Sequence, residues 1–89
     1  MATKILVVED ESAVREMIHF VLEQSGYDVI GAESVDQAKA ALADVPPDLI
    51  LMDWMLPGTS GVEYTRELKQ DAVTRDIPII MLTARGEED

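Results

Sequence analysis

At 89 residues the chain has room for one domain, near the size at which a single hydrophobic core becomes marginal. It has no cysteine, which excludes disulfides and thiolate metal sites, and 18 acids against 7 bases leave a net charge of -11, which argues against holding a nucleic-acid backbone directly. No apolar run approaches the ~18 residues of a membrane span, and MATKILVVED is neither a signal nor a transit peptide, so a cytoplasmic chain is expected.

Ile5-Leu6-Val7-Val8 is a continuous apolar run with β-branched members, the pattern of a strand covered on both faces. Val14, Met17, Ile18, Val21 and Leu22 then recur at helical spacing, with Ser12 as the expected cap and Gly26 as the stop. Residues 27–32 read as a second, less apolar strand. Ser34 with Gln37 forms a capping box that opens a second helix, its inner face Val35, Ala38, Leu42 and Val45, stopped by Pro46-Pro47. Residues 48–52 are the third strand. Ser60 and Glu63 open a third helix with Val62, Thr65, Leu68 and Ala72 inward, and Pro78 introduces a fourth strand, Ile79-Ile80-Met81-Leu82.

This alternation predicts an α/β fold, a doubly wound parallel sheet with right-handed crossovers and helices on both faces. In such sheets sites lie beyond the carboxyl ends of the strands, where strand order reverses. The residues there are Glu9 and Asp10 after strand one, Asp53 after strand three and Thr83 after strand four. Carboxylates crowded together repel, so either protons stay on or a cation sits among them. An all-oxygen cup without His or Cys suits a hard divalent ion, Mg²⁺ where phosphate chemistry follows, and the backbone carbonyl of Met55 is a candidate neutral ligand. Single acids at strand ends are ordinarily turn formers or caps, and Glu11 and Glu87-Glu88-Asp89 are read that way.

At these residues the chain resembles the receiver domains of bacterial two-component response regulators. ILVVEDE (5–11), PDLILMDWMLPGTSG (47–61) and IPIIMLTARGE (77–87) are similar to the family's three hallmark blocks in order and spacing, and the DWMLPG block points to the winged-helix transcription-factor subfamily. The resemblance implies a flavodoxin- or CheY-like fold in which Asp53 accepts a phosphoryl group from a phosphohistidine on a sensor histidine kinase. It implies that Glu9, Asp10, Asp53 and the Met55 carbonyl hold Mg²⁺, Glu9 directly or through water, and that Thr83 and its neighbour Ala84 contact the phosphoryl group and switch the domain. Such a chain is a regulatory phosphoacceptor rather than an enzyme, beyond assisting its own phosphorylation and dephosphorylation. The family's phosphoryl-pairing Lys, its last helix-strand-helix portion and any DNA-binding domain have no counterpart in residues 1–89, so the chain is expected to be a C-terminally truncated receiver of four strands and three helices.

Three other readings compete. A haloacid-dehalogenase type phosphatase needs a second Asp two residues after the nucleophile, where this chain has Met55. Nucleotide or flavin binding needs a Gly-rich or hydroxyl-rich loop after strand one, where VVEDES would repel phosphate. A non-phosphorylated fragment that self-associates, as a homodimer or swapped dimer through an exposed strand-four edge, is the third. Of the remaining residues, His19 reads as a solvated helix residue and Met17, Met52 and Met81 as core packing. Tyr64 reads as cover for the core edge, and Arg15, Arg66, Lys69 and Arg75 as solvating charge.

Overall fold

The structure, a computed structural model, describes residues 2–82. Its elements are β1 (Lys4–Val8), α1 (Ser12–Gln24), β2 (Asp28–Ala32), α2 (Val35–Asp44), β3 (Leu49–Asp53), α3 (Gly61–Gln70) and β4 (Ile79–Leu82). All strand pairings are parallel, in the order β2-β1-β3-β4. The chain steps from β1 outward to β2, then crosses back over β1 to β3. That reversal places β1 beside β3, as the α/β expectation requires.

Burial follows position in the sheet. Ile5 to Val8 are all buried, because β1 has a neighbour on each side and helices on both faces. Leu6, Val8, Ile50 and Met52 join Ala32, Val35, Ala38, Leu56, Tyr64 and Leu68 in the core. At the other end of the described sheet, Ile80 on β4 is half exposed. Tyr64 lies deeper than a core-edge position, at 2% exposure, and its hydroxyl has no hydrogen-bond partner among the described residues.

The helices bury narrower faces than their apolar periodicity suggests. In α1, Val14, Ile18 and Leu22 are half-buried, whereas Met17 and Val21 are exposed and no residue is fully buried. The three inward residues are spaced i, i+4, i+8, so the contact line runs along one edge of the apolar stripe and takes in Arg15 on its flank. In α2 the expected Val45 is exposed, because the helix ends at Asp44 and Val45 has extended backbone (φ -130°, ψ 120°). In α3 the expected Ala72 is exposed for the same reason, the helix ending at Gln70.

Caps agree with sequence at two helices and differ at the third. Ser34 Oγ accepts from the Gln37 N–H at 3.2 Å and Ser60 Oγ from the Glu63 N–H at 3.0 Å. Gln37 Oε1 completes its side of the box one residue early, accepting from the Glu33 N–H. At α1 the N-cap is Glu11, not Ser12, and no side chain of the cap residue bonds the first turn. Gly26 follows the α1 C-cap Ser25 at φ 95°, a conformation only glycine takes cheaply.

Two residues read as solvating or unassigned prove structural around the α3–β4 connection. Lys69 Nζ donates to the carbonyls of Arg75 (3.2 Å) and Ile77 (3.0 Å), and the buried Thr74 donates its hydroxyl to the Leu68 carbonyl at 2.7 Å. Thr74 thus ties the connection back to the last turn of α3, and Lys69 satisfies two carbonyls of the connection itself. His19 is half exposed and pairs with Glu23 at 3.0 Å, the surface role expected of it.

Candidate functional site

Strand pairing brings the acids together. Val8 is in register with Met52, so the residues that follow them, Glu9 and Asp53, emerge side by side at the carboxyl edge, about 5 Å apart across adjacent strands. Glu9 is held there by its N–H, which donates to the Ala32 carbonyl of β2 at 2.9 Å. Asp53 ends β3 in register with Leu82, and the Trp54 N–H donates to the Leu82 carbonyl. One oxygen each from Glu9, Asp10 and Asp53 lies within 4.8 Å of the others. Glu9 and Asp53 are buried and Asp10 is exposed, so the cup opens to solvent on one side.

Its electrostatics are unfavourable without a cation. Two ionised carboxylates at this spacing repel by about 3 kcal/mol at an effective dielectric near 20. Burial pushes the Glu9 carboxyl above its ordinary 4.5, opposed by the hydrogen bond from the Glu11 N–H and reinforced by the charges of Asp53 and Asp10 and by a hydrogen bond with Asp53. Glu9 Oε2 accepts that Glu11 N–H at 3.1 Å, while Oε1 is buried with no partner among the described residues. A buried carboxylate oxygen left open in a group of three acids fits a hard cation bound by oxygen.

The surrounding backbone is closely fitted. The first residue of α3, Gly61, donates its N–H to the Trp54 carbonyl at 2.7 Å, and a Cβ there would overlap the Asp53 carbonyl oxygen. Only a residue without a side chain lets the start of α3 approach the end of β3 this closely. Trp54 and Met55 are exposed beside the cup, Met55 in the loop leading to α3. The structure therefore gathers Glu9, Asp10 and Asp53, with Met55 two residues beyond, whereas Thr83 and Ala84 lie outside the described residues. Arg15, read from sequence as solvating charge, donates Nη1 to the Glu9 carbonyl at 2.7 Å. The sequence signal for it was Gly31, a glycine inside a strand, which often marks close approach by another group.

Residues 5–89 match the family described as "Response regulator receiver domain". The chain belongs to that family. Among curated relatives, this receiver domain is 57% identical over 89 residues to the phosphate regulon transcriptional regulatory protein PhoB of Escherichia coli (strain K12), covering 100% of this chain and 39% of that protein. The receiver domain thus spans well under half the length of that relative. Among solved structures it is similar to the N-terminal domain of a response regulator receiver protein from Methanoculleus marisnigri JR1, with TM-score 0.89 and 40% identity over 96% of this chain and 69% of the other. It is also similar to the response regulator TrrA of Thermotoga maritima in complex with Mg²⁺-BeF, with TM-score 0.85 and 35% identity over 93% and 70% of the two chains. The match with receiver structures bears out the fold expectation. No helix among the described residues is long and apolar enough to cross a membrane.

Proposed function

We propose that this receiver domain accepts a phosphoryl group on Asp53 from a phosphohistidine of a sensor histidine kinase, with Mg²⁺ held by Glu9, Asp10, Asp53 and the Met55 carbonyl. The observation that carries the reading is the clustering of Glu9, Asp10 and Asp53 oxygens within 4.8 Å at the switch point of a receiver fold. A carboxylate oxygen of Asp53 attacks phosphorus, the phosphorus–nitrogen bond of the donor breaks, and the imidazole nitrogen leaves with the electron pair. The product is an acyl phosphate. When bound, Mg²⁺ supplies charge neutralisation for the phosphoryl oxygens. Burial of Asp53 and Glu9 restricts water around the nucleophile, and Glu9 holds its place through the Glu11 N–H and the Ala32 carbonyl.

Thr83 and Ala84 are the residues we assign to contact with the phosphoryl group, by their match to the family's third block. The output we assign, by likeness to the Escherichia coli relative, is control of transcription through a DNA-binding domain of a longer regulator. Incubation with acetyl phosphate and Mg²⁺ tests the chemistry by intact mass: the wild type gains one phosphoryl group and Asp53→Asn gains none. Equal gain in both would overturn the assignment.

A second reading, self-association through the β4 edge, is favoured by one observation: β4 ends the described sheet with Ile80 52% exposed. Light scattering at high concentration then gives twice the monomer mass, reduced by Ile80→Lys. A monomer at all concentrations contradicts it.

A further inference from the structure

We propose that Arg15 is a positioning residue for the acid cup: its guanidinium fixes the Glu9 carbonyl, and Gly31 exists to give its side chain a bed. The inference rests on the proposed function, since the group being positioned is the one assigned there to Mg²⁺. Arg15 sits half-buried on the flank of the inward face of α1, and Nη1 donates to the Glu9 carbonyl at 2.7 Å, a short, charge-assisted bond. The Glu9–Asp10 peptide carries two of the three acids, so fixing its carbonyl fixes the direction in which both side chains leave the strand end.

Gly31 is the second, independent observation. Its φ is not positive, unlike those of Gly26 and Gly58, so backbone conformation does not require a glycine there. Within a strand, glycine weakens the sheet and calls for another reason. That reason is Arg15: a Cβ on Gly31 would lie 3.2 Å from Arg15 Cδ and 3.6 Å from both Cγ and Nε. The aliphatic stem rests on bare β2 backbone and delivers the guanidinium to the carboxyl edge of β1.

Charge alone gives the opposite expectation. A guanidinium beside an acid cluster repels a dication through space, so a purely electrostatic Arg15 would hinder Mg²⁺, and its removal would tighten binding. Positioning predicts that removal weakens it. Trp54, half exposed beside Asp53, is the fluorescence probe used to follow Mg²⁺.

The test is a titration with Mg²⁺ alone. Arg15→Met is expected to weaken Mg²⁺ affinity by about tenfold, the range for groups that orient metal ligands. Arg15→Lys, which keeps a donor and the charge, restores part of the loss. Gly31→Val, which leaves every charge in place but displaces the Arg15 stem, reproduces the loss, and the double variant is no weaker than Arg15→Met. In metal-free protein, Arg15→Met also speeds hydrogen exchange at the Glu11 N–H, because the Glu9 carboxylate that accepts it loses its fixed backbone. If Arg15→Met loses its helical circular dichroism, Arg15→Lys and Gly31→Ala carry the same comparison at smaller amplitude. A wild-type response that Arg15→Met leaves equal or tighter overturns the inference alone. The absence of any saturable wild-type response overturns the proposed function and this inference with it.

Discussion

Glu9 is the residue where folding and the proposed function conflict. It is buried, shares a hydrogen bond with Asp53, and is pushed above its ordinary 4.5 chiefly by burial. Unfolded, Glu9 releases its proton near that ordinary value; folded, it holds the proton to higher pH. The folded state therefore binds more protons across that interval, and its stability falls as pH rises through it. Urea unfolding of metal-free protein from about pH 4 to about pH 8 checks this: the wild type loses stability relative to Glu9→Gln as pH rises, and Mg²⁺ removes the difference. A parallel pair of curves would show that Glu9 carries no such penalty. The identities of these acids were legible from sequence because three carboxylates at two strand ends are hard to explain otherwise. Arg15 was not legible on its own, because a single cation on a helix looks the same whether it faces water or a carbonyl; the glycine inside β2, Gly31, was an indirect signal, and only three-dimensional placement joins the two.

At the scale of elements, the joint between β3 and α3 sets the geometry of the cup. Gly61 opens α3 against the Asp53 carbonyl, and its N–H bonds the Trp54 carbonyl. Gly61→Ala forces α3 away from β3; an overpacked site of this kind costs about 3 kcal/mol, and Asp53 shifts with the backbone. Chemical denaturation is expected to show that loss together with weakened Mg²⁺ binding, and unchanged stability would contradict the contact. Strand and helix identities were readable throughout, because the hydrophobic period switches cleanly between neighbouring segments. Helix faces were less so. Met17 and Val21 lie on the apolar stripe of α1 yet remain exposed, since periodicity gives the stripe but not which edge of it meets the sheet. Helix ends shifted for a local reason: Val45 and Ala72 are apolar residues just beyond the last turn, where spacing still fits but the backbone has left the helix.

Across the whole molecule, the order β2-β1-β3-β4 makes the rest possible. Reversal of strand order at β1 puts the two most buried strands side by side and their carboxyl ends in one place, so the acids need no long loops to converge. A net charge of -11 adds to the repulsion among them, which the proposed dication would relieve. On the proposed function, the parallel sheet and the acid cup form one device, a buried carboxylate that accepts phosphorus and is kept in place by its neighbours. The most direct test is to phosphorylate the protein with acetyl phosphate and Mg²⁺, reduce it with borohydride, and sequence the peptides by mass spectrometry. Reduction of an acyl phosphate on Asp53 leaves homoserine at position 53, and the account predicts it there and nowhere else. Homoserine at another acid, or phosphate on a residue that borohydride does not reduce, would contradict it.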